Sequence, residues 1–204
     1  MEDERAGPRL GLARDEGGAV YVEFLIAFLP VYVFFLCLIQ LTIIFSVRLV
    51  TEHAALHAAR AAAVVIGDQD SRYGGEQKNK MVENGKRYQM VRNAALLTLT
   101  PLLLNGLIQS VQVVFPEPGQ PNGPAQTGTL SFSPMNGENV AKVRVRVEVE
   151  AACRIGLANQ IACPNWTSFL RPDVSRRITS FLMPTQWVRA EAVYPYQGAR
   201  YDYQ

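Results

Sequence analysis

The sequence predicts an α+β chain in which a long N-terminal transmembrane α-helix is followed by a small extracytoplasmic domain with a second helix and an antiparallel β-sheet. Three observations predict it. Residues 24–47 contain no Asp, Glu, Lys, Arg or His, and an alanine-rich, helix-favouring stretch follows them directly. Towards the C-terminus, Val143, Val145, Val147 and Val149 alternate with Arg144, Arg146, Glu148 and Glu150, the period of a sheet with one wet face.

The chain has 204 residues, enough for one domain or two small ones, and its 49% hydrophobic share is ordinary for a folded protein. The apolar residues are unevenly spread. As a helix, residues 24–47 would measure about 36 Å against a hydrocarbon core of about 30 Å. The apolar region of a secretory signal peptide is about 7–15 residues, so this run is read as a retained span. A formal charge of +2, with no Arg-rich or Lys-rich block, argues against a nucleic-acid partner.

Residues 1–18 mix acids with Arg5, Arg9, Arg14 and several glycines, and cannot build a core. One helix is predicted over residues 19–66, continuing through Ala54, Ala55, Ala58, Ala59, Ala61, Ala62 and Ala63 and stopped by Gly67. Pro30 removes one backbone hydrogen bond from it and predicts a kink. Residues 68–75 read as a loop. A second helix is predicted from Glu76 to near Gly106, with Met81, Tyr88, Val91, Ala95 and Leu99 on one face and a bend at Pro101. Its apolar end, residues 94–108, would cover only about 22 Å and reads as a buried helix end, not a second span.

Strands are predicted from Ser110, from Gly128 and, most clearly, from Val140. The proline-rich residues 116–128 between the first two form a loop. Residues 178–197 supply one or two more strands, interrupted at Pro184 and closed before Pro195. Cys153 and Cys163 bracket a short segment. In an oxidising compartment they would form a disulfide contributing about 2–3 kcal/mol; the alternative is two buried thiols. Cys37 is expected to stay free and face the membrane.

Glu23 stands just inside the apolar region. A carboxylate in a membrane helix costs about 2.5–3.5 kcal/mol if central, so it needs a route to the surface or a partner. Five residues before it lies Gly18, and a cut between Gly18 and Ala19 would make Glu23 the fifth residue of a new chain. On "GAVYVEF", residues 18–24, the chain resembles the type IV pilin-like proteins. With the long span, "HAALHAARAAAVV" and the tail ending in "WVRAEA", it looks like the TadE-like minor pseudopilins of tight-adherence (type IVc) pilus systems. Arg60 and Glu191 stand where that family tends to place such residues. The likeness is strong over residues 14–66 and general beyond them.

The resemblance implies a cytoplasmic prepilin-type leader over residues 1–18, cleaved after Gly18 by a prepilin peptidase. It implies a transmembrane and extended pilin-like helix over residues 19–66, and a periplasmic α+β domain over residues 67–204. The freed amine of Ala19 on one subunit would meet Glu23 of its neighbour inside lipid, where opposite charges attract strongly. Partners would be other pilins and minor pseudopilins, an inner-membrane assembly platform and the lipid bilayer, with the alanine-rich stretch aiding close helix packing. Ala19 departs from the bulky aromatic common there in type IVa pilins, and Phe24 from the Tyr of tight-adherence major pilins; the latter favours a minor subunit. Basic residues flank the span on both sides, so charge alone gives little orientation. The N-terminus is placed in the cytoplasm because the leader and the cysteine pair agree.

Other signals are weaker. His53 and His57 have the spacing of two metal ligands on a helix, but no third ligand is evident and a helix face is the simpler reading. Asp68 and Asp70 open something like a calcium loop, but Arg72 and Asn79 occupy ligand positions. Asn165 begins a glycosylation sequon, and Tyr194, Tyr196, Tyr201 and Tyr203 suit protein contacts or a tail tucked on the sheet. No catalytic arrangement, cofactor motif or metal site is predicted. The expected function is a non-enzymatic minor pseudopilin serving a pilus or a pilus-like secretion or adhesion apparatus. The alternatives are a type II secretion minor pseudopilin and a single-pass receptor or binding subunit with an uncleaved signal anchor.

Overall fold

The computed structural model describes residues 16–116, 123–132, 142–156, 158, 161, 163 and 185–196. The leader up to residue 15, Asn165, Tyr201, Tyr203 and the predicted strand start at 178–184 lie outside them. Helix α1, Glu16–Val65, is 50 residues long, beginning before the predicted residue 19 and passing Pro30 without a break. It is long and apolar enough to cross a membrane. A 3-10 turn at Asp70–Tyr73 follows, then strand β1, Lys80–Val82; helix α2, Lys86–Leu104; strand β2, Ile108–Val114; strand β3, Thr129–Ser131; strand β4, Lys142–Ala152; and strand β5, Thr185–Pro195.

The second helix is therefore shorter than predicted, and Met81 belongs to a strand. Asn79 and Asn84 both take positive φ, 61° and 64°, and bracket β1 with turns that a helix cannot contain. Met81 is still buried, opposite Leu130 of the antiparallel β1–β3 pair. Helix α2 starts instead at Gly85, whose missing side chain leaves room for Glu76: a Cβ there would lie 2.6 Å from Glu76 Oε1. The Glu76 carboxylate accepts hydrogen bonds from the backbone N–H groups of Lys86 and Arg87, capping the positive end of α2. Pro101 lies inside α2, and Gly106 closes it at φ 64°.

Strands β2, β4 and β5 form an antiparallel sheet in the order β2-β4-β5. Its inner face carries Val143, Val145, Val147 and Val149 of β4 with Val188, Ala190 and Ala192 of β5, all buried. They share one core with Val91, Ala95 and Leu99 of α2 and with Val47, Ala54, Ala55, Ala58, Ala59 and Ala62 of α1. Five alanines of α1 are fully buried there, so their small side chains let α2 and the sheet approach the helix within this chain.

Arg87 fixes the upper end of this core. Its side chain is fully buried, and its guanidinium donates to the Val65 carbonyl, to the Asp68 carbonyl at 3.0 Å and to the Glu76 carbonyl at 2.9 Å. It also contacts Asp70 Oδ1 at 3.1 Å and lies 4.4 Å over the Tyr73 ring. One cation thus closes the exposed carbonyl end of α1 and holds the loop that follows it. Tyr196 fills the space beside Gly67, where a Cβ would come within 3.2 Å of its hydroxyl, and that hydroxyl donates to Asn79 Oδ1.

Candidate functional site

The described part of α1 changes character at Gln40. None of residues 20–39 is buried, whereas Gln40 is fully buried despite its amide. From there a stripe of buried residues, Gln40, Val47, Thr51, Ala54, Ala58, Ala62 and Val65, follows helical spacing along the domain. The exposed part, residues 20–39, is 20 positions or about 30 Å of helix. It ends where the domain begins. The predicted uncharged run of residues 24–47 crosses this boundary, and composition alone does not register Gln40 as a buried contact.

Gly18 and Glu23 occupy the first turns of α1. Gly18 is exposed, with nothing within 4 Å of the position a Cβ would take. The side chain of Ala19 is outside the described residues. Glu23 is exposed among Val20, Tyr21, Val22, Phe24 and Leu25, each more than half exposed, and among the described residues it makes no ion pair. Beside it a ladder of rings climbs one face: Phe24 and Phe28 stack at 5.4 Å between centroids, and Phe28 and Tyr32 at 5.9 Å. From Val20 to Ile39 this end of α1 is an apolar rod with one carboxylate, Glu23, for which no ion pair occurs among the described residues.

Cys153 and Cys163 stand at disulfide distance, with Cα atoms 6.5 Å apart. The segment they close touches α1 at Gln40, whose Oε1 accepts from the Ile155 N–H at 3.3 Å and whose Nε2 lies 4.0 Å from Cys163 Sγ. Cys37 is free, as expected, and partly buried.

Arg60 and Glu191 find separate partners. Arg60 lies 5.9 Å over the Tyr194 ring. Glu191 on β5 faces Arg146 on β4 across the strands and contacts it at 2.6 Å, with Arg144 at 3.3 Å. Arg146 is buried, and its Nη1 donates to the Gly123 carbonyl at 2.9 Å, holding Gly123 over the outer face of the sheet. Glu148 completes the lattice with Arg189 at 3.3 Å.

His53 and His57 are both exposed on the outer face of α1, and no cluster of three potential metal ligands occurs among the described residues. Asp68 accepts from the Gln69 N–H and the Tyr73 hydroxyl, and Asp70 pairs with Arg87. The Gln69 N–H, then Tyr73 and the nearby arginines, hold the Asp68 carboxyl below its ordinary range despite partial burial. Both carboxylates are thus engaged in closing the loop.

A groove of about 340 Å³ lies between α2, β2 and the start of β3, lined by Met81, Glu83, Tyr88, Arg92, Val111 and Phe115 among others. Its polar groups are partly committed to the fold. Glu83 accepts from the Gly128 N–H at 3.2 Å, and the Tyr88 hydroxyl donates to the Val113 carbonyl at 2.7 Å. It presents no nucleophile paired with a base. Among the described residues, this groove and the bare lower part of α1 are surfaces open to other molecules. No protein-family model, curated protein or solved structure matches the chain.

Proposed function

We propose that this protein is a non-enzymatic, TadE-like minor pseudopilin of a tight-adherence pilus or a related secretion or adhesion apparatus. It is anchored in a bacterial inner membrane by residues 20–39, with its N-terminus cytoplasmic and its α+β domain periplasmic. A prepilin peptidase removes the leader after Gly18. The helix then packs against other pilins at the assembly platform, and the new Ala19 amine of one subunit pairs with Glu23 of the next. Because the buried alanines serve the chain's own domain, intersubunit contact falls to residues 20–39 and to the outer face bearing Phe45, Leu49, Leu56 and Val64, all exposed.

The observation that carries the reading is the position of Glu23. It is an acid near the foot of a 20-residue apolar segment of which no residue is buried, without an ion-pair partner among the described residues, five residues after an open glycine. A carboxylate placed so in lipid needs a cation from another molecule or a nearby route to water. Cleavage would create such a cation.

The mature N-terminus tests this directly. Mass spectrometry of protein from cells containing the peptidase is expected to find Ala19 first, and an intact leader would overturn the reading in favour of a signal-anchored receptor or binding subunit. Glu23→Gln is expected to insert and fold normally while assembly fails. Normal assembly of that variant would remove the charge-pairing step. Dependence of pili or of secreted enzymes on the gene separates the tight-adherence from the type II secretion role.

A further inference from the structure

The foot of the outer domain carries an apolar surface of its own. Gln40 marks its level: below it lie 20 residues of which none is buried, about one hydrocarbon thickness of helix, so with that segment embedded Gln40 comes out at the membrane boundary. Everything tied to Gln40 shares that level. Ile155 and Cys163 contact its amide. Arg154, next to them, donates from Nη1 to the carbonyl of Asn105 at 3.1 Å, the residue that ends α2. The other end of α2 is held far above, where Arg87 bonds the Val65 carbonyl. Helix α2 therefore descends beside α1 towards the level of Gln40.

The side chains exposed there are unusual for a soluble surface. Leu104 is 82% exposed, Leu97 77% and Ile161 of the disulfide-closed segment 62%. Leu97, Pro101 and Leu104 are all exposed and follow helical spacing on one face of α2. Water is a poor neighbour for this stripe.

We infer that the domain base is seated in the bilayer surface. Leu104 and Ile161 enter the boundary between headgroups and acyl chains, Leu97 stands about 10 Å higher along α2 at the upper edge, and exposed Arg154 faces the headgroup phosphates. Lipid is the occupant because Arg154, Ile155 and Cys163 tie the patch to Gln40, where the unburied apolar part of α1 ends, and because an apolar face bordered by a cation suits a phospholipid interface. The inference rests on the reading that residues 20–39 are embedded.

The test uses the full-length protein in vesicles of phosphatidylcholine and phosphatidylglycerol. A benzophenone amino acid replaces, one at a time, Leu29 in the span, Leu104, Ile161, or Val64 near the top of α1, which is 71% exposed. After irradiation, lipid adducts are quantified by mass spectrometry. Positions 29, 104 and 161 are expected to capture lipid, each several-fold above position 64. Capture at 29 with 104 and 161 no higher than 64 would overturn the seated base and leave the span standing. Failure at 29 would remove the span and this inference together. Adducts to protein in place of lipid at 104 or 161 would make the patch a protein contact and also overturn it.

Discussion

Arg146 and Glu191 stand directly opposite each other on β4 and β5, their charged groups 2.6 Å apart, with the Gly123 carbonyl bonded to Arg146. Only 5% of the Arg146 side chain and 18% of that of Glu191 are exposed, so removing one partner leaves a charge in poorly solvated surroundings. Glu191→Ala is expected to destabilise the domain by about 3 kcal/mol, read from denaturant unfolding of the full chain in detergent. Arg146→Met combined with Glu191→Met should lose much less. Equal losses in the single and double variants would show that the pairing does not govern the effect.

Arg87 should be the most sensitive single position in the upper half of the domain. Arg87→Met deprives the carbonyls of Val65, Asp68 and Glu76 of a shared donor, and each buried carbonyl left bare costs about 1–3 kcal/mol. A total loss above about 3 kcal/mol is expected. Hydrogen exchange over residues 66–86 should quicken more than over β4. Arg87→Lys should restore only part, because one ammonium cannot reproduce the planar fork that reaches several acceptors.

Three tyrosines make the domain sensitive to alkali. Burial raises the hydroxyls of Tyr73, Tyr88 and Tyr196 above their ordinary value of 10.0; in Tyr73 the Asp68 carboxylate adds to the effect. Their folded values lie above the unfolded one, so the stability they contribute is fully present below pH 10.0 and is lost as pH rises through the folded values. The melting temperature of the detergent-solubilised chain is expected to fall above pH 10.0. Tyr88→Phe should flatten that fall while costing about 1 kcal/mol at neutral pH, through its lost bond to the Val113 carbonyl. An unchanged alkaline slope in this variant would argue against Tyr88 as a contributor.

Much of this architecture was legible in local pattern. The alternation in β4 survives as buried valines against a charged outer face, and β5 occupies Thr185–Pro195 within the predicted strand region. The error over residues 76–85 has a local cause: Asn79 and the Asn84–Gly85 pair are turn signals, and they outweigh an apolar spacing that fits a helix only by chance. Other features depended on distant residues. The burial of Arg87 requires carbonyls from the end of α1, and that of Gln40 requires Ile155 and Cys163, more than a hundred residues away. A lone amide inside an apolar run was the available hint.

At the candidate site, Gly18, Ala19 and Glu23 could be picked out because they are neighbours in the chain. The exposed stripe on α2 could not, since its helical pattern gives no level relative to α1 until Arg154 and Asn105 are seen together.

Helix α1 runs without interruption from the bare segment into the core, so no flexible joint separates the domain from its anchor. Pro30 lacks the N–H that would bond the carbonyl of Ile26, and this weakest point of the rod lies about 15 Å below Gln40. Beyond it the remaining 35 residues form an arm of about 52 Å. A lean of about 10° at Pro30 would swing its tip by about 9 Å. Crowding or pulling applied to the buried end would therefore be delivered, magnified, to the outermost parts of the domain.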